Sequence, residues 1–154
     1  MNDPVVVSPI GPDRFEEVLP LIADYQRFYG ATPEEARNRE FFARFLDPSD
    51  QGALLGAWSG DTLLGHACLY FTFSSVEATE VVLMNDLFVV ADARGRGVGR
   101  ALIGATVEIA AARGIPLVRW MTGPDNLRAQ RLYDRTGASR SSWFEYELAV
   151  DPAG

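Results

Sequence analysis

The chain has 154 residues, 47% of them hydrophobic and 23% charged, with a formal net charge of −7. This composition excludes a disordered chain and predicts a single globular domain over residues 1–154. It contains no run of eighteen apolar residues and no basic segment in Met1–Ser8, so we expect neither a membrane span nor a secretion leader. The single cysteine, Cys68, fits a reducing cytoplasm.

The charge is unevenly distributed along the chain. Residues 1–93 hold 15 acidic residues and 5 Arg, a net charge of −10, whereas residues 94–154 hold 9 Arg and 6 acidic residues, a net charge of +3. The acidic balance argues against a nucleic-acid partner. An acidic first half would suit a cationic ligand, and an Arg-rich second half would suit a phosphorylated one.

The first half of the chain predicts three strands and two helices. Val5–Val7 is a short apolar run typical of a strand. Asp13 followed by Glu16 resembles a capping box for a helix towards Tyr29, which Pro20 should break into two pieces. Thr32–Pro33 begins a second helix that ends near Leu46. Two further strands are joined by a turn at 59–61, and they comprise Ala53–Trp58 and Leu63–Phe73.

The second half alternates strands with helices. The most apolar run, Val81–Val90, predicts a central strand covered on both faces. The elements expected after it are a helix over Gly97–Arg113, a buried strand over Ile115–Met121, a short helix over Asn126–Thr136 and a closing strand over Ser142–Val150. This order predicts a mixed α/β fold with helices on both sides of one sheet.

The segment between the apolar strand and the long helix carries the clearest chemical signal. It consists of Arg94, Gly95, Arg96, Gly97, Val98, Gly99 and Arg100. Glycines let the backbone approach a ligand, and the first helical turn offers N–H groups and a positive dipole end to a phosphate. Flanking arginines can add charge-assisted hydrogen bonds. The alternative interpretation, a solvated turn that joins two elements, fits this pattern less well.

Two common nucleotide-binding motifs are excluded. A P-loop requires Gly-Lys followed by Ser or Thr, and this chain has no lysine. A dinucleotide fingerprint requires G-x-G-x-x-G after the first strand, whereas here the spacing is G-x-G-x-G and the position is late in the chain.

Two motifs together resemble the GNAT superfamily of N-acetyltransferases. The first is Arg94-x-x-Gly97-x-Gly99 after Asn85–Val90, which resembles the family's acetyl-CoA signature. The second runs from Asn126 through Tyr133 to Gly137. They cover residues 81–140 in the expected order, and their detail is most similar to the histone-and-polyamine acetyltransferase branch.

The resemblance implies that acetyl-CoA lies in a cleft where two parallel strands, Asp86–Val90 and Leu117–Thr122, separate. It implies no metal and a homodimer. The acidic charge and the lack of a long apolar run already predict no nucleic-acid and no membrane partner. The residues expected to hold the cofactor are Leu87, Phe88, Val89, Arg94, Gly95, Arg96, Gly97, Val98, Gly99, Arg100, Asn126, Ala129 and Tyr133. A strand N–H near Phe88 or Val89 would stabilise the oxyanion.

The resemblance also identifies Tyr133 as the expected general acid. Tyr133 follows Asn126 by seven residues, two helical turns, so both should project from one side of a short helix. A phenol can protonate a leaving CoA thiolate at neutral pH. Without the resemblance, Tyr133 would be interpreted as an amphipathic residue that closes the core.

The base that deprotonates the amine is less clearly specified. Asn85 stands where related polyamine enzymes carry an acid and cannot act as a base, so the role falls to Asp86, to a water that it orders, or to Glu80, Glu77 or His66. Alternation places Asp86 opposite Asn85 unless a bulge intervenes. Asp86 could equally be a structural acid, and a lone His66 in an apolar strand is typical of a core residue.

The acceptor amine should meet aromatic and acidic residues. The candidates are Tyr25, Tyr29, Asn85 and Glu80, although the aromatics could instead be core residues and the acids a solvated rim. The favoured function is acetyl transfer from acetyl-CoA to a primary amine in a ternary complex, the acceptor being a small cationic amine, a polyamine or an amino acid. The alternatives are a protein lysine or N-terminal acetyltransferase, and a silent acyl-CoA-binding module.

Overall fold

The computed structural model describes residues 3–153. The chain divides into two compact units, Met1–Met121 and Thr122–Gly154. The first unit contains β1 (Val5–Pro9), α1 (Phe15–Phe28), α2 (Glu35–Phe42), β2 (Gly52–Ser59), β3 (Thr62–Ser74), β4 (Thr79–Val89), α3 (Val98–Ala112) and β5 (Val118–Arg119). The second contains α4 (Leu127–Tyr133). Short 3₁₀ turns precede α1, follow α2 and follow β4.

A five-stranded mixed sheet organises the first unit. Its strand order is β1-β2-β3-β4-β5, with antiparallel pairs from β1 to β4 and a parallel pair between β4 and β5. Because strand residues alternate between the faces, each strand supplies two apolar layers. The predicted mixed α/β class is confirmed.

Helices cover both faces of this sheet. On one face α1 and the end of α2 pack on the sheet, and the core there includes Val18, Ile22, Phe42, Leu54 and Cys68. On the other face lies α3, whose Thr106 hydroxyl is 3.8 Å from the sulfur of Met84 on β4. Within residues 3–153, no helix is both long and apolar enough to span a membrane.

The predicted break at Pro20 is wrong, because α1 continues through this residue. Proline removes the hydrogen bond that residue 20 would donate to the carbonyl of Glu16. Both residues face solvent, so water can bind the unpaired carbonyl. Buried Val18 and Ile22 hold the two halves against the sheet. The capping box is also absent, since α1 begins at Phe15 and has no side-chain cap.

The predicted closing strand over Ser142–Val150 is also wrong. No regular element occurs between residues 138 and 153. Alternating apolar residues indicate which side chains could face a neighbouring layer, but a strand also needs a second backbone to pair with. No described strand pairs with this segment.

Candidate active site

The glycine-rich loop meets the start of α3 in a conformation that needs glycine. Gly95 and Gly97 have φ of +77° and +83°, a region that L side chains rarely adopt. A Cβ atom at either glycine would meet nothing within 4 Å, so the outer side of the loop is open. Arg96, which lies between them, is exposed, and so are Arg94 and Arg100.

The N-terminus of α3 offers its first-turn N–H groups without competition from a side chain. Gly97 is the N-cap residue and makes no side-chain cap hydrogen bond. The fifteen-residue helix behind it places a positive dipole end at the loop. The loop predicted from the sequence therefore has the backbone geometry of an anion site.

Next to this loop, β4 and β5 pair over a short distance and then part. The parallel ladder joins Val82 to Val118 and Leu83 to Arg119. Beyond it, β4 continues to Val89, while β5 ends at Arg119. Residues 85–89 of β4 thus have a side on which no described strand lies; we call Leu87–Val89 the open edge.

Backbone alternation decides which groups of the open edge are available. The N–H of Val90 donates to the Leu64 carbonyl on β3 at 2.9 Å. Since successive residues alternate in direction, Leu87 and Val89 direct their N–H and carbonyl groups to the open edge, whereas Phe88 directs its own to β3. The carbonyl of Val89 accepts a hydrogen bond from Nε of Arg94 at 3.2 Å. Of Phe88 and Val89, only Val89 directs its N–H to the open edge.

A β-bulge brings Asn85 and Asp86 to the same face of the sheet. Cys68 pairs with Asp86 and Leu69 pairs with Met84, so Asn85 is the extra residue. Nδ2 of Asn85 donates to Oδ1 of Asp86 at 2.7 Å, which requires both side chains on one side. The β-bulge that the sequence analysis considered as an alternative is present.

Asp86 is buried beside a histidine. Burial raises the pKa of its carboxyl group to about 6, against the opposing effect of the Asn85 hydrogen bond. Burial also lowers the pKa of His66 to about 3, so that imidazole stays neutral. Nε2 of His66 lies 4.0 Å from Oδ2 of Asp86. Of these two side chains, the carboxyl group of Asp86 changes charge near neutral pH.

Aromatic residues from the end of α1 surround the bulge. The Tyr25 hydroxyl donates to the carbonyl of Asn85 at 3.3 Å, and the Tyr25 ring lies 5.0 Å from that of Tyr29 and 6.4 Å from that of Phe88. Tyr29 and Asn85 are exposed. The structure thus brings together Tyr25, Tyr29 and Asn85, which we call the acceptor patch.

Glu80, a candidate for the acceptor side, and Glu77, a candidate base, lie away from the bulge. Glu80 pairs with Phe73 near the β3–β4 turn, five residues along β4 from Asn85 and therefore roughly 16 Å away at about 3.3 Å per residue. Glu77 pairs with Arg119 at 2.8 Å and accepts a hydrogen bond from Ser74. These contacts lower the pKa of the Glu77 carboxyl group, which suits an ion pair better than a base.

The second unit carries the remaining predicted residues. Oδ1 of Asn126 caps α4 by accepting the backbone N–H of Ala129 at 3.3 Å, so the helix begins one residue after the predicted start. Tyr133 is the last residue of α4 and is half-buried. Its carbonyl accepts the Thr136 hydroxyl at 2.7 Å. The predicted helix is present, but it ends at Tyr133, three residues before the predicted end at Thr136.

Sequence reasoning underestimated His66. It predicted a core histidine, and the residue is indeed in the core. What it missed is that the imidazole faces the candidate base. The sequence held no signal for this proximity, because it follows from the pairing of Cys68, two positions after His66, with Asp86, and the bulge in β4 sets that pairing.

Comparison with known proteins identifies acetyltransferases as similar to this chain. A model of the acetyltransferase (GNAT) family matches residues 18–138. A D-amino-acid N-acetyltransferase of Saccharomyces cerevisiae is 40% identical over 141 residues, covering 88% of this chain and 85% of the relative. A thialysine N-epsilon-acetyltransferase of Bos taurus is 30% identical over 83 residues, covering 54% of this chain and 48% of the relative. The crystal structure of a probable acetyltransferase superposes with a TM-score of 0.80 at 25% identity, covering 97% of this chain and 99% of the other.

Proposed function

Because this chain belongs to the acetyltransferase (GNAT) family, we propose that it transfers an acetyl group from acetyl-CoA to the amino group of a small molecule. An amino acid or another small amine is the favoured acceptor, and transfer is direct within a ternary complex. The observation that carries the proposal is the separation of β4 from β5 beside the open N-terminus of α3. This arrangement provides backbone donors in line with an anion site.

The residues around the loop fit the acidic end of acetyl-CoA. The N–H groups at residues 98–100 and the side chains of Arg96 and Arg100 would bind its pyrophosphate. Leu87 and Val89 would bind the pantetheine arm through the open edge, as one strand binds another. Asn126 would add a side-chain amide, and Ala129 would leave room for the arm. Acetyl-CoA itself supplies the activated acetyl thioester.

The chain's own residues then remove a proton from the amine and donate a proton to the leaving sulfur. An alkylammonium ion has a pKa near 10.4 and must lose a proton before it can attack. We assign that proton to the carboxylate of Asp86, taken directly or through one water. A new N–C bond forms as the C–S bond breaks, and Tyr133 gives its hydroxyl proton to the departing sulfur. The tyrosinate then takes one of the two protons left on the acetylated nitrogen, which keeps the other as the amide N–H. Asp86 returns its proton to solvent.

The acceptor patch favours a small cationic group. The faces of aromatic rings attract ammonium ions, and the Asn85 side chain is exposed beside them. The similarity to a D-amino-acid N-acetyltransferase supports an amino-acid acceptor. Polyamines are the second acceptor class, because the net charge of −10 in residues 1–93 would attract a polycation.

A thiol-release assay with acetyl-CoA tests the function. The acceptors would be D-amino acids, L-amino acids, spermidine and a lysine-containing peptide at equal concentration. We expect turnover with free amino acids or small amines and a kcat/KM at least tenfold lower for the peptide. The opposite order would favour a protein acetyltransferase. Binding of CoA without turnover of any amine would favour a binding module.

We also propose that the enzyme is a homodimer built with the segment Trp143–Val150. Its large apolar side chains are 78–93% exposed: Trp143, Phe144, Tyr146, Leu148 and Val150. An exposed apolar set of this size is typical of an interaction surface. The three aromatic residues alone could bury roughly 150–250 Å² each, which approaches the roughly 800 Å² per partner of a stable interface.

A further inference from the structure

His66 is a buried polar residue for which packing gives no sufficient reason. The side chain is completely buried on β3, and neither ring nitrogen has a hydrogen-bond partner among residues 3–153. Buried polar atoms without a partner are rare because they forgo their bonds to water. An apolar side chain would fill this position without that cost.

The imidazole points one nitrogen at the proposed base. Nε2 lies 4.0 Å from Oδ2 of Asp86, about 1 Å beyond hydrogen-bond length. Aromatic rings flank the imidazole, with centroids at 6.0 Å for Tyr25 and 5.9 Å for Phe88. His66 has no exposed surface, so it cannot touch the acceptor and can act only through a neighbour.

We propose that His66 is a positioning residue that donates its Nε2–H to Oδ2 of Asp86 and holds the carboxylate ready to accept the proton of the amine. The inference rests on the proposed function for the role of Asp86. Oδ1 of Asp86 already accepts the amide of Asn85, so each carboxylate oxygen then has one donor. A hydrogen bond to the charged form stabilises that form, and His66 therefore keeps Asp86 ionised to a lower pH.

The other titratable groups around this carboxylate do not replace Asp86 in this role. Cys68 faces it from β3, and burial raises the pKa of its thiol far above neutrality. Tyr70, farther along β3, has a phenol whose pKa burial also raises. From α1 the facing group is the phenol of Tyr25, which contacts the His66 ring. Asp86 therefore governs the charge of the cluster between pH 5 and 8.

Three variants separate a hydrogen-bonding role from packing. Gln places an amide nitrogen near the position of Nε2, Asn places it near Nδ1, and Leu has no donor. In His66→Leu and His66→Asn we expect the acidic limb of the kcat/KM profile to move up by about one pH unit, which is a loss of about fivefold at pH 6 with little change at pH 8.5. His66→Gln should restore the wild-type limb. An equal loss at every pH, or no difference between Gln and Asn, would overturn the proposal.

Two NMR measurements decide the contact without any assay of activity. Nitrogen-15 shifts of the wild-type imidazole should report the Nε2–H tautomer, and the Nδ1–H tautomer would contradict the assignment. Carbon-13 titration of the Asp86 carboxyl group should give a higher pKa in His66→Leu than in the wild type, or in His66→Asn should the leucine variant not fold. An unchanged pKa would also overturn it. If no amine is acetylated but NMR shows both the Nε2–H tautomer and the raised pKa of Asp86 in the variant, the proposed function fails and the His66–Asp86 contact stands.

Discussion

The burial of Asp86 makes its carboxylate a better base but lowers the stability of the fold. Its burial raises the pKa of the carboxyl group to about 6, which makes it a stronger base than an ordinary aspartate and still leaves it ionised at neutral pH. The same shift costs stability: the folded state favours the protonated form, so it loses stability as the pH rises from about 4 to about 6. A group that destabilises the fold in its active form is typical of a functional site.

Replacement of Asp86 by Asn should separate activity from stability. We expect kcat/KM at pH 7.5 to fall by about 10²- to 10⁴-fold, and the acidic limb near pH 6 to disappear. The melting temperature at pH 8 should equal or exceed that of the wild type, because no buried charge remains. Thiol-release kinetics from pH 5 to 9 and thermal unfolding would measure both effects.

Asp92→Asn is the matched control for this prediction, since Asp92 is exposed in the 3₁₀ turn just after β4. Its pH profile should follow that of the wild type. A wild-type acidic limb in the Asp86 variant would remove Asp86 from the mechanism.

Tyr133 can be tested by removal of one oxygen atom. Tyr133→Phe should lower kcat by about 10²- to 10⁴-fold, because the leaving thiolate loses its proton donor. The Kd for CoA should change less than threefold, since the ring and the α4 backbone are kept. Tyr146→Phe, at a side chain that is 93% exposed, serves as the control. Equal kcat values for wild type and Tyr133→Phe would show that another group protonates the thiolate.

At the scale of elements, the loop before α3 was predictable because its requirement is local. Positive φ at Gly95 and Gly97 follows from residue type and position alone. The bulge in β4 was not predictable, because it depends on the register that β3 imposes through Cys68 and Leu69. The prediction of a helix break at Pro20 failed for a related reason, because the burial of α1 against the sheet outweighed the local effect of the proline.

The loop also allows a test in which two glycines, one before α3 and one within it, behave oppositely. Gly97→Ala adds a methyl group with no steric contact but in a left-handed conformation, which should cost about 1 kcal/mol of unfolding free energy. It should also weaken CoA binding several-fold, because the backbone N–H groups move. Calorimetric titration with CoA and urea unfolding would measure these changes.

The matched variant Gly104→Ala lies within α3 on its exposed side, where a methyl group meets nothing within 4 Å. Here alanine should raise the unfolding free energy by about 1 kcal/mol and leave CoA binding unchanged. Equal CoA affinity for the Gly97 and Gly104 variants would exclude the loop conformation as a determinant of binding.

At the scale of the whole molecule, the mixed sheet and its helices were predictable because apolar periodicity marks most elements. The acceptor side was not, since tertiary pairing alone shows that Tyr25 and Asn85 meet while Glu80 lies far along β4. The final segment shows the same limit. Its alternation of apolar residues predicts a strand, yet a sequence cannot tell whether the partner backbone belongs to the same chain.

The proposed homodimer predicts that substitutions in Trp143–Val150 halve the mass of the particle in solution. Phe144→Ser combined with Leu148→Ser should convert a dimer into a monomer at micromolar concentration, because two large apolar side chains leave the interface. Light scattering after size exclusion would measure this. The control is Val76→Ser at the β3–β4 turn, a residue that is 94% exposed, and it should remain dimeric. A monomeric wild type would contradict the dimer.

The extra residue in β4 has a consequence for reading related sequences. Before the bulge Met84 contacts α3, and after it Asp86 pairs with Cys68, which lies in the core that α1 covers. One extra amino acid therefore reverses the phase of the strand. A homologue that lacks this insertion would turn its following acid into the apolar layer under α3, although an alignment would still show an aspartate in the column. Whether a relative keeps a usable base there therefore depends on where the gap falls, and identity at that column alone is a poor guide.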